Sequence, residues 1–492
     1  MSIRDTETSQ RRYCFDISGI ISFLNTHRKY TGIQRVVVMA AWSFYDNLPD
    51  QQKDSVYVGF QDRLTGQYRC AKFLKVRDYI KDPDLLSEAL SIRTNRKDST
   101  ESTLRFLDQY RKSPIKYYFH LWRLDILSIL GKDEPFLKLN TDSKGWKKKR
   151  NGQAGTDEPV SKVDFANANS VLRSNDILFL LDAAWQYGHT KKMKEMAAMG
   201  IKMLTMVHDL IPLKLTGYTE PSIPNIFFNW LINSPNHTSA YLAVSKSTSI
   251  DLREFLNSFS IERDIHVVPL VQGFGHPIDC TLDNDDLSDD IRSKNHSKLL
   301  KFIDLDADIR RYEHTPFVLC VGTIEIRKNP LRLLQAWKQL IEKSDGDIPK
   351  LVFAGRMGWL IDDFKVALEA SGNLSGYIDI IEQPTDKELS FLYKNCMFLV
   401  MTSIYEGWGL PVGEALSFGK TAIISNTSSL PEVGQDLVMY CDPSSVSNIA
   451  EAVWKLVSEP ERRILLENKI KTTQLRSWHD VGSDLIDISK KI

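Results

Sequence analysis

Two glutamates flank a glycine-rich turn in the last quarter of the chain. The stretch SIYEGWGLPVGEALSFGKTAIIS covers residues 403–425 and contains Glu406 and Glu414. Gly407 and Gly409 lack a Cβ, so an anion could approach the backbone closely between the two carboxylates. A carboxylate would repel a phosphate, so both glutamates are expected to face uncharged hydroxyl groups. A nucleotide sugar, with ribose and hexose on either side of a diphosphate, has this layout.

The residues around this turn predict a strand, a loop and a helix. The apolar run CMFLVMTS precedes it, Pro411 stands where a first helical residue is favoured, and Gly419 stands where a helix ends. Ligands of open parallel sheets bind at the carboxyl ends of strands, where helix amides carry partial positive charge. For Glu414 alone, the simpler alternative is a first-turn glutamate that the helix dipole favours.

Basic residues follow two other apolar runs of the second half. GTIEIRKNP (322–330) comes after FVLCV, and AGRMGW (354–359) comes after KLVF. Lys328 and Arg356, with Arg327 as a neighbour, are expected to neutralise the diphosphate and to stabilise the leaving group. Three further residues are expected at the donor, namely Thr323 in the first of these loops and Trp408 and Leu410 in the glycine-rich turn.

The first half contributes two shorter motifs. VHDLIP (207–212) follows the apolar run KMLTM, and TGIQRV (31–36) precedes a helix-like run. His208 is expected to bond a sugar hydroxyl or the reacting oxygen, and Gly32 to let a loop amide approach the phosphates. The alternative for a single histidine after a strand is a purely structural role. Asp209 is expected to point elsewhere and to cap its own turn.

Apolar, β-rich runs alternate with helix-like stretches through both halves, which predicts an α/β fold with two doubly wound domains. The runs are YCFDIS, DILFLLD, KMLTMVH, AYLAVS, IHVVPL, FVLCVGT, KLVFAG, YIDIIE, CMFLVMTS and TAIIS. The predicted first domain covers residues 1–271 with an insertion at about 90–165. It is followed by a linker at 272–309, a second domain at 310–470 and a terminal helix at 471–492.

Composition excludes several classes of function. The 63 basic and 63 acidic residues cancel, so no global charge favours nucleic acid. No run of 18 apolar residues exists, and six scattered cysteines favour a reducing compartment, so a cytoplasmic protein is expected. Basic and aromatic residues within 112–150, such as KGWKKKR, predict either peripheral membrane contact or a solvated insertion loop.

Two common phosphate-binding motifs are not supported. The pair Gly273 and Gly275 is followed by Ile278, where a dinucleotide-binding turn needs glycine or alanine. The segment Gly419-Lys420-Thr421 resembles the end of a P-loop, but Glu414 stands where the first glycine belongs. Neither NAD binding nor ATP hydrolysis is therefore expected.

Five motifs in order, EGWGLPVGEALSFGK, GTIEIRKNP, AGRMGWL, VHDLIP and TGIQRV, together resemble the family-4 retaining glycosyltransferases, and among them mannosyltransferases. The resemblance is strong over 310–445 and weaker over 13–40 and 176–270. It implies a GT-B fold, in which two Rossmann-like domains face a central cleft. It also implies that the terminal helix crosses back to the first domain.

The resemblance assigns roles by position. Glu406 is implied near the hydroxyls of the donor sugar, Glu414 on the ribose, and His208 near the donor sugar. Lys328 and Arg356 form the implied basic pair, although many relatives have lysine at the second position, and Gly32 lies in the implied glycine loop. Arginine keeps the charge at that position but changes its geometry.

The implied reaction moves a hexose from a nucleoside-diphosphate sugar to a glycan, lipid-linked or polysaccharide acceptor, with retention at the anomeric carbon. The resemblance implies no metal, because relatives of this fold usually work without one, and no cofactor, since the nucleotide sugar is itself a substrate. GDP-mannose is the first choice of donor and a UDP-sugar the second. Two alternatives stay open: a GT-B-fold sugar-nucleotide epimerase, and a noncatalytic carbohydrate-binding subunit.

Overall fold

A computed structural model of the chain describes residues 10–25, 27, 29–30, 32–62, 66–90, 114–130, 163–186, 190–273, 305–344 and 347–492. Contacts between residues divide the chain into two compact units. The larger unit comprises Met1–Asp16, Arg35–Val56 and Leu172–Ile492, and the smaller unit comprises Ile17–Gln34 and Tyr57–Val171.

The described residues form the following strands, in chain order: β1 (Tyr13–Asp16), β2 (Val56–Gln61), β3 (Tyr68–Lys72), β4 (Ala166–Asn167), β5 (Ile177–Leu180), β6 (Lys202–Val207), β7 (Ala240–Ala243), β8 (Asp264–Val267), β9 (Phe317–Val321), β10 (Lys350–Ala354), β11 (Ile378–Ile381), β12 (Leu399–Met401), β13 (Ala422–Ser425) and β14 (Met439–Cys441). Each of the ten apolar runs identified in the sequence contains or overlaps one of these strands. The strands β2, β3, β4 and β14 were not predicted.

Helices separate the strands in both halves. The α-helices are Ser18–Leu24, Gly32–Asn47, Asp50–Lys53, Phe73–Ile80, Pro83–Ala89, Pro114–Ile129, Ala168–Val171, Thr190–Ala198, Ile211–Lys214, Ile223–Asn233, Lys246–Ser258, Ala307–Arg310, Pro330–Lys343, Asp362–Ala370, Asp386–Asn395, Leu410–Ser417, Leu430–Gly434, Val446–Ser458, Pro460–Thr472 and Trp478–Lys491. Short 3₁₀ helices are Ala184–Gln186, Thr216–Tyr218, Ser234–Asn236, Arg311–Glu313 and Ile326–Lys328. The segment Gly372–Gly376 contains three residues with left-handed backbone angles.

The larger unit contains two parallel sheets. In the first sheet, β1, β5, β6, β7 and β8 lie side by side in that order, and each neighbouring pair is parallel. In the second, the order is β11-β10-β9-β12-β13-β14, again with parallel neighbours. The predicted α/β class with two doubly wound sheets is confirmed.

The order of the second sheet determines where its loops meet. The chain moves outward from β9 to β10 and β11, and then returns to place β12 on the other side of β9. The strands β9 and β12 are paired at Leu319 and Leu399, so the loops that leave their carboxyl ends start side by side. Such a reversal of strand order is the usual place for a ligand in an open α/β sheet.

The helix Pro330–Lys343 packs an apolar face against the second sheet. Leu333, Trp337 and Leu340 recur at helical spacing and are almost completely buried in the core of the second sheet. The Nε1 atom of Trp337 donates a hydrogen bond of 3.0 Å to the carbonyl oxygen of Pro349, so its polar atom is satisfied in the core. The helix therefore fixes the loop that connects it to β9.

The terminal helix Trp478–Lys491 packs against the helix that contains Ser43. The Ser43 hydroxyl donates to the Trp478 carbonyl at 2.5 Å, and the Asn47 amide donates to the His479 carbonyl at 2.7 Å. A Cβ added to Gly482 would lie 2.7 Å from the backbone of Ser43, so the two helices are in close contact. The predicted domain boundaries themselves remain predictions.

The smaller unit has a different architecture. Its strands β2, β3 and β4 pair antiparallel. Its helix Pro114–Ile129 exposes Phe119 and Trp122, whose residues are 56% and 60% accessible. The basic segment 144–150, and residues 274–304 of the predicted linker, lie outside the described residues. Among the residues that are described, no helix combines the length and the apolar character needed to cross a bilayer.

Candidate active site

The loops after β9 and β12 bring three charged side chains together. Lys328 Nζ lies 2.5 Å from Glu406 Oε1, and the Arg327 guanidinium lies 2.9 Å from the same oxygen. The Glu406 residue is only 8% exposed. Two positive charges therefore meet one buried carboxylate at the switch point of the second sheet.

Backbone contacts hold the two loops in register. The Ile404 amide donates to the Arg327 carbonyl at 2.9 Å, and the Arg327 guanidinium donates to the Tyr405 carbonyl at 2.6 Å. The Asn329 side chain donates to the Thr402 carbonyl at 3.1 Å. Because Asn329 also has a left-handed backbone and directly precedes the Pro330–Lys343 helix, it fixes the point where the first loop ends.

A second acidic residue, Glu325, belongs to this cluster and was not identified from the sequence. It is 1% exposed, forms an ion pair with Arg327, and its Oε2 atom makes no hydrogen bond to the described residues. Arg327 thus lies between two carboxylates and one carbonyl. The guanidinium was expected at the donor diphosphate, but its hydrogen-bonding capacity is largely used within the protein.

The charges in this cluster shift each other's pKa. Burial would raise the pKa of Glu406, but Arg327 and Lys328 outweigh burial and lower it to about 2. Burial raises the pKa of Glu325, and Arg327 opposes that rise only in part. Burial would lower the pKa of Arg327, but Glu406, Glu325 and Asp209 raise it instead. At neutral pH, Glu406 is therefore a carboxylate and Arg327 a cation.

The glycine turn packs directly on the loop after β6. A Cβ added to Gly407 would lie 2.1 Å from the His208 carbonyl oxygen and 3.2 Å from the Asp209 Cβ. Only glycine allows this approach. The turn that carries Glu406 is therefore held against the residue expected to contact the donor sugar.

The His208 ring has a defined proton position. Its Nε2 atom lies 2.8 Å from the Leu181 carbonyl oxygen. A carbonyl only accepts, so Nε2 carries the proton and Nδ1 of the neutral ring is an acceptor. Burial lowers the pKa of His208, while the Leu181 carbonyl opposes this, so the neutral form is favoured. The ring can accept a hydrogen bond from a hydroxyl group.

Asp209 has two roles, of which the sequence predicted one. Its carboxylate accepts a hydrogen bond of 3.0 Å from the Ile211 amide, which confirms the expected turn cap. Its carboxyl group also interacts electrostatically with Arg327 and Glu406, which the sequence did not indicate. Burial raises its pKa to about 6, although Arg327 opposes that shift.

Glu414 lies in a second buried group of polar residues. It is 6% exposed, and its Oε2 atom accepts a hydrogen bond of 2.6 Å from the Tyr393 hydroxyl. Arg35 lies 3.9 Å from its other oxygen and 2.7 Å from Asp386. Burial raises the pKa of Glu414, and Arg35 and Tyr393 oppose that shift. One carboxylate oxygen is thus occupied by Tyr393, and its expected contact with a ribose stays a prediction.

Trp408 and Gly409 of the glycine turn contact neighbouring residues of the protein, and their expected contact with the donor stays a prediction. Trp408 is 6% exposed, and its Nε1 atom donates to the Val271 carbonyl at 3.0 Å. Gly409 has φ +108°, and a Cβ there would lie 2.6 Å from the Leu430 side chain. Leu410 begins the predicted helix, which ends at Ser417. The predicted strand, loop and helix are confirmed.

The remaining predicted residues lie in less crowded surroundings. Arg356 is exposed, and its side chain forms no hydrogen bond or ion pair with any described residue. Thr323 is half-buried in the loop after β9. Gly32 begins the Gly32–Asn47 helix and belongs to the smaller unit. Within the part of the chain that the structure describes, no group of three or more histidine, cysteine or acidic residues could hold a metal.

Comparison with known protein families identifies the second half. Residues 302–473 match the family "Glycosyl transferases group 1". This range contains the whole second sheet together with Glu325, Lys328, Arg356 and Glu406. Residues 302–473 are therefore similar to the group 1 glycosyl transferases, and the resemblance predicted from the motifs is confirmed.

Two curated relatives each match only part of this chain. The "O-antigen chain mannosyltransferase B" of Escherichia coli is 34% identical over 175 residues, 35% of this chain and 45% of the relative. The "Serotype-specific mannosyltransferase WbdA" of Escherichia coli is 24% identical over 321 residues, 64% of this chain and 36% of the relative. The chain thus spans less than half the length of either relative.

A solved structure resembles the chain along almost its whole length. Anabaena HepE, crystallised in complex with UDP and glucose, has a TM-score of 0.53 and 11% identity. The match covers 98% of this chain and 100% of HepE. At this identity the likeness concerns the fold alone, which is GT-B.

The close contact at Gly407 predicts that even one methyl group is harmful there. Gly407→Ala would force the turn away from the His208 carbonyl and should lower the free energy of unfolding by about 2–3 kcal/mol. Chemical denaturation of the purified chain measures this change. Gly217→Ala is the matched control, because a Cβ at Gly217 would meet nothing within 4 Å. Equal stability of the two variants would contradict the contact.

The raised pKa of Asp209 predicts a specific dependence of stability on pH. The folded state binds its proton more tightly than the unfolded state, so this carboxyl group destabilises the protein progressively as the pH rises from about 4 to about 6. Asp209→Asn keeps an acceptor for the Ile211 amide and removes the titration. The difference in the free energy of unfolding, wild type minus variant, should fall by about 2 kcal/mol over that interval. A constant difference from pH 4 to pH 7 would contradict the assignment.

Proposed function

We propose that this protein is a retaining hexosyltransferase that moves a sugar from a nucleoside diphosphate to a glycan. The observation that carries the proposal is the buried contact of Glu406 with Lys328 and Arg327, at the switch point of a sheet in the group 1 glycosyl transferase region. In this cluster, the Glu406 carboxylate can accept hydrogen bonds from sugar hydroxyls, and the positive charges can compensate a diphosphate.

Lys328 is the residue proposed to bind the leaving diphosphate. Its ammonium group has three hydrogens, and one of them is directed to Glu406. The other two can reach phosphate oxygens without breaking the ion pair. As charge builds on the leaving phosphate, Lys328 stabilises it electrostatically. Arg356 is exposed and lies after the adjacent strand β10, so it is proposed as the second phosphate ligand.

Glu406 and His208 are proposed to orient the donor sugar. Glu406 stays ionised because its pKa is about 2, and an ionised carboxylate accepts hydrogen bonds from sugar hydroxyls. His208 offers Nδ1 as a second acceptor from the facing loop.

The leaving phosphate takes the proton of the acceptor hydroxyl on the same face of the sugar. That step requires no metal ion and no further general base.

Mannose is the proposed sugar. Both curated relatives are mannosyltransferases by name, and a third, the MMP alpha-(1->4)-mannosyltransferase of Mycolicibacterium hassiacum, is 27% identical over 124 residues, 24% of this chain and 30% of the relative. GDP is the proposed nucleotide. UDP is the second candidate, which the complex of HepE with UDP and glucose supports.

The proposed acceptor is a glycan, either linked to a lipid or at the end of a growing polysaccharide. The name of the O-antigen mannosyltransferase supports this choice. We propose that the protein works in the cytoplasm at the inner face of the membrane, with the aromatic and basic residues of 112–150 as the contact. The exposed Phe119 and Trp122 of the Pro114–Ile129 helix support such a contact.

Transfer of radioactive mannose from GDP-mannose to α-mannoside oligosaccharides tests this function. Glu406→Gln should lower kcat/KM by about 10²–10³, because the neutral amide loses the charge that holds Lys328 and the sugar hydroxyls. Lys328→Met should reduce kcat to a similar extent. Glu459→Gln is the control, since that glutamate forms a surface ion pair with Arg462.

Other outcomes distinguish the alternatives. Wild-type turnover in Glu406→Gln would remove this residue from the reaction. Conversion of the donor without an acceptor would favour an epimerase. Glycan binding with no turnover of any nucleotide sugar would favour a noncatalytic subunit.

A further inference from the structure

A cavity of about 700 Å³ opens on the first sheet, away from the candidate active site. It lies where three adjacent strands begin, as Lys202 starts β6, Ser239 precedes β7 and Asp264 starts β8. His208 follows the opposite end of β6. A six-residue strand is about 20 Å long, so the cavity and the candidate active site lie on opposite edges of the sheet.

The cavity has the size and the mixed lining of a small-molecule site. Ligand pockets usually enclose about 300–1,000 Å³. Ile261 and Ile265 supply apolar surface, while Asn257 supplies an amide at the end of the Lys246–Ser258 helix. The lining therefore offers apolar contact together with hydrogen bonds.

The cations of the lining are not neutralised by neighbours. Lys202, Arg253 and Arg263 form no ion pair with described residues. Arg263 is held by backbone carbonyls, with 3.2 Å to Thr238 and 3.0 Å to Pro235. Carbonyls satisfy its hydrogen bonds without cancelling its charge. The guanidinium is thus fixed in place before any ligand arrives.

The net charge of the lining is nevertheless close to zero. Glu262 and Asp264 oppose the three cations, which leaves one positive charge. The helices Thr190–Ala198 and Lys246–Ser258 end at the cavity, and each carboxyl end contributes about half a negative charge. A lining with many donors and acceptors but little net charge suits hydroxyl groups, because each hydroxyl both donates and accepts.

A buried histidine forms part of the wall of the cavity. His237 lines the cavity, is 6% exposed, and its Nδ1 atom has no hydrogen-bond partner among the described residues. Burial, together with Lys194, lowers the pKa of His237 to about 4, so the ring is neutral at pH 7. Because Nδ1 is itself closed to solvent, it does not face a ligand in the cavity.

We propose that this cavity is a binding site for a neutral oligosaccharide, distinct from the site of transfer. The apolar residues contact the faces of the sugar rings, and the charged and amide groups bind their hydroxyls. The site holds part of the acceptor glycan at a distance from its reacting end. This last assignment rests on the proposed function, whereas oligosaccharide binding itself does not.

Calorimetric titration of the full-length chain with α-linked mannotetraose, without nucleotide, tests the site. Wild type should bind the probe, and the double variant Arg253→Ala/Asp264→Asn should bind it at least tenfold more weakly. Both side chains are exposed, so the fold should be retained, and Asn257→Ala provides a third, independent variant. Glu406→Gln and the surface variant Arg462→Ala should bind like wild type.

Several outcomes would overturn the proposal. These are no binding by wild type, equal binding by the double variant, and displacement of the probe by inorganic pyrophosphate, which would indicate an anion site. Mannosyl transfer to a short dimannoside should stay within twofold in the double variant, while KM for a long acceptor rises. If wild type transfers nothing, the proposed function fails, and the titration still decides whether the cavity binds glycan.

Discussion

The ion pairs of Glu406 are the interaction on which the proposed site depends. A buried carboxylate is unfavourable unless cations compensate it, and here Arg327 and Lys328 do so from the neighbouring loop. The same contacts keep Glu406 ionised, since its pKa falls to about 2. They also join the loop after β9 to the loop after β12. Removal of any one of the three side chains leaves an uncompensated charge in the site.

The rest of the fold positions this cluster. The strand order of the second sheet places the two loops side by side, and Asn329 fixes the end of the first. Gly407 packs on the His208 carbonyl, so the cluster also meets the loop after β6 of the first sheet. The approach works only without a Cβ at this position. Strand topology, one left-handed asparagine and one glycine contact therefore determine where the charges lie.

Much of this arrangement could be predicted from the sequence. Continuous apolar runs identified ten strands, and Pro411 and Gly419 marked the helix after the glycine turn, because these signals are local. Glu325 could not be recognised, since its burial depends on the contact of two distant loops. Tyr393 and Arg35 were missed for the same reason, as they reach Glu414 from other elements. The edge strand β14 was missed although it lies in the apolar run LVMYC (437–441), because the strand itself is only three residues long.

Nucleotide binding by Lys328 is the central claim, and thermal unfolding with GDP, UDP, ADP and dTDP measures it most directly. One of these nucleotides, at 100 times its dissociation constant, should stabilise wild type by about 2.7 kcal/mol and should still do so with EDTA present. Lys328→Met should lose most of that stabilisation, while the surface variant Lys365→Met should keep it. Equal stabilisation of wild type and Lys328→Met, or no stabilisation by any nucleotide, would contradict the account.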